Sequence, residues 1–414
     1  MTHPAPAAPS APRAVRTASL AVFVVFALSG FNFSSWAARL PAVRDALGLS
    51  EAQMGLLLLV GSCGSLVALP LSGLVVTRIG AVKAVAGFAL LNAAGLTIAT
   101  FGAALGEVVV TAAGLVVFGV GTGVWDAAMN LEGAIVEQKL GKTVMPRYHA
   151  GFSLGTVVAA GIAAVVAAAH VPVQVHVPVA VLLSSIAVLV AVRSFLPAGQ
   201  HAPAGDGEHA AHAPRSVFAA WLEPRTLLIG LVVLAAALTE GAGNDWLSLA
   251  VVDGFDQSDA VGAISFGVFV TAMTVMRFLG TALLDRFGRV AVLRLCAGLA
   301  LAGLLVFGLV PDDLLWLALV GAVLWGMGAA LGFPVGMSAA SDDPLRAAAR
   351  VSVVSTIGYS AFLAGPPLLG LLAHEVGYRH ALLAIAVPIV VGLLVVNAAA
   401  PARQEPAERP TLVP

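Results

Sequence analysis

"GLVVTRIGAVK", residues 73–83, closes one long apolar run and opens the next, and "TALLDRFGRVA", residues 281–291, does the same in the second half of the chain. Aligning Thr77 with Asp285 sets Arg78 on Arg286 and Gly80 on Gly288. Two further stretches repeat in the same order at nearly the same offset. "GFNFSSWAARL" (30–40) resembles "GAGNDWLSLAV" (241–251), with Trp36 near Trp246, and "GVGTGVW" (119–125) matches "GMGAALG" (326–332). Each match is weak alone. Their shared order and offset read as an internal repeat.

The composition around these loops is that of a membrane protein. Of 414 residues 59% are hydrophobic and only 10% charged, with mean hydropathy +0.98, against about 25% charged in soluble domains. Apolar runs long enough to cross a bilayer fall at 17–39, 52–76, 82–102, 107–131, 149–169, 177–196, 226–250, 261–284, 290–310, 314–338, 351–373 and 380–400. The fold class expected is an all-α membrane protein: twelve transmembrane helices in two pseudo-symmetric six-helix bundles. The boundaries are a tail at 1–16, a bundle at 17–196, an Ala/Pro/Gly/His-rich linker at 197–224, a bundle at 225–400 and a tail at 401–414.

Lys and Arg set the orientation. With the N-terminus inside, seventeen fall in inside segments and only Arg39, Arg44 and Arg379 outside. Both termini are therefore expected in the cytoplasm, with the chain in a bacterial-type plasma membrane. Net charge is −1, which gives no reason to expect nucleic acid, and Cys63 and Cys296 sit in apolar runs as free thiols rather than a disulfide. No cleavable signal peptide is evident, and nothing in the sequence calls for a cofactor, a metal or an oligomer, so a monomer in the lipid bilayer is expected.

Twelve spans in 6+6 halves, a mid-chain linker and a G-x-x-x-D-R-x-G-R-like loop in both halves resemble the major facilitator superfamily. The resemblance implies alternating access around a central site between the halves. The family's loop aspartate is Thr77 in the first half and is kept as Asp285 in the second. The glycine-rich fourth span, "GVGTGVWDAAMNLEGAIVEQ" (119–138), is similar to the sugar/proton symporters of the fucose permease branch, where an acid four residues before an asparagine takes part in proton coupling. By that resemblance Asp126 is the acid and Asn130 the asparagine. "EGAGNDW" (240–246) and "MPRYHAGFSLG" (145–155) look like a related bacterial subgroup of mostly unassigned substrate. The symporters' first-span aspartate is replaced by Ala37, four residues before Pro41, and the fifth span lacks the Gly-Pro of drug antiporters.

The residues themselves point to the same chemistry. A carboxylate mid-membrane costs about 2.5–3.5 kcal/mol on insertion scales, so it usually faces a water-filled path. Gly119, Gly123, Asp126, Asn130, Gly133 and Glu137 recur at steps of three and four, placing them on one helix face. Asp126 and Glu240 are the candidate proton-coupling acids; the competing reading of Asp126 is a structural acid bonded to a neighbouring helix. Asn32, Trp36, Asn130, Asn244, Asp245, Trp246 and Arg277 are the candidate substrate-binding residues, amides and aromatic faces being what a ring-shaped polar solute needs. Arg277 is the one Lys or Arg deep inside a span rather than at its end, positioned to neutralise an anionic substrate or a carboxylate, or to snorkel to the interface. Glu137, Arg147, His149, Arg78, Asp285 and Arg286 are the candidate gate, and Glu132 is expected to pair with a basic group.

These features are read as a secondary active transporter moving a small polar, sugar-like solute together with protons. The alternative is a proton-driven efflux antiporter for a metabolite or drug. Neither a convergent nucleophile, a phosphate loop nor a soluble output domain is present in the sequence to suggest an enzyme or a sensor.

Overall fold

The computed structural model describes residues 13–141, 144–196, 220–343 and 346–401. Most of the tails at 1–16 and 401–414 and of the linker at 197–224 lies outside the described residues, as does Lys142. Among the described residues the chain is all helix. The first half holds α1 (Arg13–Ala37), α2 (Leu40–Leu47), α3 (Glu51–Ile79), α4 (Ala81–Ala104), α5 (Val108–Leu140), α6 (Met145–Ala168) and α7 (Val173–Ala191). The second holds α8 (Pro224–Gly254), α9 (Asp259–Phe287), α10 (Arg289–Leu309), α11 (Leu315–Ala329), α12 (Gly332–Ala340), α13 (Ala347–Leu382) and α14 (Ala386–Val395). Eleven helical stretches are long and apolar enough to span a membrane. The last of them, Ala349–Ala399, contains Gly377 at φ 77°, ψ 159°, a conformation open essentially to glycine, which turns the chain back and makes two passes of one. The chain thus crosses twelve times, and its two described ends lie at one end of the molecule, here the terminal end, opposite the distal end.

The repeat is visible in the backbone. Gly80 joins α3 to α4 at φ 80°, ψ 157°, and Gly288 joins α9 to α10 at φ 75°, ψ 166°. The sequence alignment put these two glycines on each other, and both occupy a region forbidden to side chains. Ser50 caps α3 and Ser258 caps α9, each accepting from the amide three residues on. Each half also buries one seam of small residues. A Cβ on Gly95 of α4 would lie 2.7 Å from the Gly114 carbonyl of α5, and one on Gly321 of α11 would lie 2.8 Å from the Gly303 carbonyl of α10. Lipid tails offer no hydrophobic drive for association, so close backbone approach and its dispersion contacts are what bind such helices.

Two features depart from the sequence reading. The loop after the first span contains a separate helix, α2, entered at Pro41 and ended by Gly48 at φ 60°. The tenth span is not continuous: α11 stops at Ala329 and α12 starts at Gly332.

The halves meet at the distal end. There Arg44 of α2 pairs with Asp253 of α8 and lies 5.8 Å from the Tyr378 ring, while Glu51 of α3 meets His374 of α13 at 3.4 Å. Burial opposes the charge on Arg44, but hydrogen bonds to Asp253 and Asp45 outweigh it and hold the guanidinium above its ordinary range. Backbones touch as well: a Cβ on Gly370 would sit 3.0 Å from Gly55 Cα. The same face of α13 is buried at Gly370 and Pro366 and becomes exposed at Leu363 (41%), Tyr359 (37%), Thr356 and Ser352. A cleft between the halves therefore widens toward the terminal end, where the ion pairs among the described residues stay within one half. Glu223 there bonds Arg350 (2.6 Å) and Arg346 (3.2 Å), and Asp342 joins Arg225 to Arg289 (3.0 Å each). Burial would raise the Glu223 carboxyl, but hydrogen bonds from Arg350 and Thr226 and the charges of Arg350 and Arg346 hold it below the usual range.

Gly95→Leu is expected to lower the thermal midpoint of the detergent-purified protein by several degrees, since overpacking typically costs about 1–3 kcal/mol. Gly87→Leu, on the same helix with no atom within 4 Å of its would-be Cβ, should leave the midpoint unchanged. Equal effects of the two would sink the seam as a determinant of helix packing.

Candidate functional site

The floor of the cleft is organised by one guanidinium. Arg277 of α9 donates from Nη2 to Glu240 Oε1 of α8 at 2.8 Å and from Nη1 to Ser153 Oγ of α6 at 3.2 Å. Its Nε donates to the Ala330 carbonyl at 3.3 Å. That carbonyl is free because Pro334, the residue that would donate to it in a continuous helix, has no N–H. The break in the tenth span thus supplies an acceptor, and Arg277 satisfies it. Ser153 belongs to the first half and the other partners to the second, so this residue bridges the cleft. Both charged side chains are part-exposed, 23% for Arg277 and 20% for Glu240, as expected of a pair bordering water.

Asp126 stands in the first half without such a partner. Among the described residues no basic side chain pairs with it; the Asn130 amide donates to the Asp126 main-chain carbonyl at 2.8 Å, and Asp126 acts electrostatically on Tyr359 of α13 from the other half. His149 packs edge-on to Phe26 at 5.1 Å and feels the charge of Arg277. The cleft therefore presents a charge pair on one wall, a lone carboxyl on the other, and aromatic and hydroxyl groups between. A group with hydroxyls and one flat face finds donors, acceptors and ring surface there.

The glycines flanking Asp126 do something else. Gly119 and Gly123 press on α3, where a Cβ on Gly123 would sit 3.1 Å from the Ser65 carbonyl, and Gly133 faces Met145 and Tyr148 of α6. The polar stripe expected on one cavity-facing side is thus divided: its glycines are packing seams and its part-exposed members are Asp126, Asn130 and Glu137. Glu137 accepts from the amides of Val144 (2.6 Å) and Met145 (2.7 Å), capping α6, and Glu132 accepts from the Leu196 amide at 2.9 Å.

Several expected substrate contacts are packed inside the bundles in this conformation. Trp36 is 4% exposed and Trp246 1%, the latter 5.5 Å from the Tyr378 ring. Asn32, 1% exposed, donates to Asn92 (2.9 Å), which donates to Thr122 (3.0 Å), a relay joining α1, α4 and α5. Asn244 has a buried side-chain oxygen without a donor, and Asp245 lines a small cavity against α13. Of the gate candidates, Arg78, Arg147, Asp285 and Arg286 are exposed at the terminal end, Arg286 lying 5.2 Å from the Phe287 ring. Ser153, Tyr359 and the Ala330 carbonyl were missed by the sequence reading; of these only the carbonyl had a signal, Pro334 four residues on. A separate groove of about 490 Å³ between α6 and α9 is lined by Val157, Ala160, Gly161, Ile264, Gly267 and their neighbours. Its Thr271 hydroxyl donates to the Gly267 carbonyl, so it has no proton left to offer a polar solute.

Comparison with known proteins agrees with this architecture. The Major Facilitator Superfamily model matches residues 22–361 and 247–413. An uncharacterized MFS-type transporter of Yersinia pestis is 30% identical over 368 residues, covering 84% of this chain and 86% of its own. Among solved structures, the nucleoside transporter NupG superposes with a TM-score of 0.71 at 14% identity, over 94% of this chain and 99% of its own. The Escherichia coli fucose:proton symporter FucP superposes with 0.62 at 15% identity, over 94% and 100%. These likenesses carry the fold, and the family match carries the membership. The chain belongs to the Major Facilitator Superfamily and is a multi-pass membrane transporter.

Proposed function

We propose that the protein is a secondary active transporter that moves a small polar, ring-shaped solute by alternating access and couples that movement to protons. The observation that carries this reading is the placing of Arg277, held by Glu240 in its own half and Ser153 in the other, across a cleft from the unpaired Asp126. The bundles at 17–196 and 225–400 are the moving bodies. The excess of Lys and Arg at the terminal end supports an orientation with both termini in the cytoplasm of a bacterial cell. In that orientation the cleft described above opens inward. The solute would replace Ser153 and water around Arg277 and lie against Tyr359, so that binding spans both halves and closure becomes favourable only when the site is filled.

The proton belongs to Asp126. An acid with no cationic partner, on a wall that meets water in one state and is closed off in the other, is placed to take up a proton in one state and give it up in the other. Glu240, by contrast, is already satisfied by Arg277, so its role is to keep that cation oriented and affordable in the membrane. The fold neighbours named for a nucleoside and for fucose with a proton support polar, hydroxylated rings as the solute class. The reading of a proton-driven exporter shares every residue of this site and differs in direction of flux.

A thermal-shift panel of nucleosides and monosaccharides is expected to reveal a stabilising solute, since a ligand that prefers the folded state raises the apparent midpoint. In liposomes holding a pH-sensitive dye, adding that solute should move protons with it in the wild type. Asp126→Asn should abolish accumulation against a gradient while retaining downhill exchange; gradient-driven accumulation at the wild-type level would refute the assignment. If only lipophilic drugs stabilise the protein, the exporter reading replaces the symporter one.

Glu240→Gln leaves Arg277 uncompensated and should destabilise the protein by about 2 kcal/mol, less than the roughly 3–5 kcal/mol of a fully enclosed pair because the cleft is wet. The double variant Glu240→Gln/Arg277→Gln should recover most of that loss. Additive losses in a double-mutant cycle would mean the two side chains are not coupled.

A further inference from the structure

Asp245, five residues after Glu240 on α8, is used by nothing described so far. Its carboxyl lines a small cavity with Gly241, Phe362, Gly365, Pro366 and Leu369, between α8 and α13. Among the described residues no group hydrogen-bonds or ion-pairs with its side chain. Across the cavity α13 carries consecutive prolines, Pro366 and Pro367, which have no N–H to give to the carbonyls of Phe362 and Leu363. An acid without a donor thus faces a helix segment with surplus acceptors. An ionised carboxylate can only accept, so it gains nothing from a carbonyl; a protonated one has an O–H to give. Pro366 has a second contact as well. On the face of α13 turned to the first half, its carbonyl abuts Gly55 of α3, and Gly370 meets Gly55 one turn on, forming the distal closure.

We infer that Asp245 is a proton site that latches the distal gate: its protonated carboxyl donates to the Phe362 carbonyl that Pro366 leaves free, fixing α13 against α8 where α13 also meets α3. Loss of that proton turns the contact into an oxygen–oxygen repulsion, and α13 withdraws from both neighbours. The inference rests on the alternating-access reading above but not on the assignment of the coupled proton to Asp126. Of the other titratable or charged groups on the packed elements, Glu240 pairs with Arg277, Arg44 with Asp253, Glu51 with His374 and Arg379 with Asp312; Glu375, His380 and Tyr359 are exposed; and the Tyr378 hydroxyl is buried with no hydrogen-bond partner among the described residues. Of these, Glu51–His374 lies at the same gate and needs its own control.

The test is a pulsed electron-spin distance measurement across the distal end in lipid nanodiscs. Labels go on Ala46→Cys and Glu375→Cys, both exposed, with Cys63→Ser and Cys296→Ala removing the native thiols. From about pH 5 to about pH 9 the wild-type ratio of short to long distances should fall, by at most about tenfold per pH unit for one proton. Asp245→Asn, whose amide can donate to the carbonyl at any pH, should stay short throughout; Asp245→Ala should favour the long distance throughout. His374→Gln should keep the wild-type pH response, and in an Asp126→Asn background, where the proposed coupling proton no longer contributes, a pH response should persist and be removed by adding Asp245→Asn. The inference is overturned if Asp245→Asn titrates like the wild type, if His374→Gln removes the response, or if exchanging sodium for potassium at fixed pH moves the ratio as pH does.

Discussion

A guanidinium cannot lose its charge, so placing one in the middle of a membrane obliges the rest of the fold to supply it with partners. Arg277 is that group, and the structure around it answers the obligation one partner at a time. Glu240 provides the countercharge, and Ser153 reaches over from the other half with a hydroxyl. The broken tenth span presents the Ala330 carbonyl, which Pro334 has stripped of its helical donor. Each of these is a local irregularity that would cost stability alone. Together they close a polar cluster whose one replaceable member comes from the opposite half, which is the arrangement a solute site between two moving bodies requires.

The same economy governs the ends. At the distal end glycines let α3 and α13 approach to backbone contact, and Arg44 and Glu51 add cross-half polar contacts at the rim. At the terminal end Glu223 and Asp342 are satisfied by arginines of the second half, and Glu137 by capping a helix of its own half. Nothing polar among those pairs has to break for the terminal cleft to stand open, whereas opening the distal end requires separating two contacts and a packed seam.

How much of this the sequence discloses follows from what each feature depends on. Helix number, turn-back glycines and the repeat depend on local pattern: Gly80 and Gly288 could be aligned by eye and share one backbone conformation. Arg277 as the one Lys or Arg deep within a span and Glu240 as an acid well inside another were equally plain, because charge in an apolar run is conspicuous. Facing is what sequence does not hold. Trp36, Trp246 and Asn32 looked like cavity residues because they are large or polar in the right spans, yet helix rotation turns them into the bundle interiors. The stripe through Asp126 had correct periodicity, but its glycines serve a seam with α3 that no periodicity announces. Glu137 sits among bases in the sequence and takes backbone amides in space. Tyr359 and Ser153 reach the site from helices far apart in the chain, and only the assembled fold brings them together.

The central claim is that solute binds at the Arg277 cluster and touches both halves at once. A cryo-electron-microscopy map of the protein saturated with a stabilising solute tests it most directly. The account predicts density within hydrogen-bond reach of Arg277 and against Tyr359 or Asp126, with Ser153 displaced from the guanidinium. Density seated in the apolar groove between α6 and α9, or contacting one half alone, would contradict it.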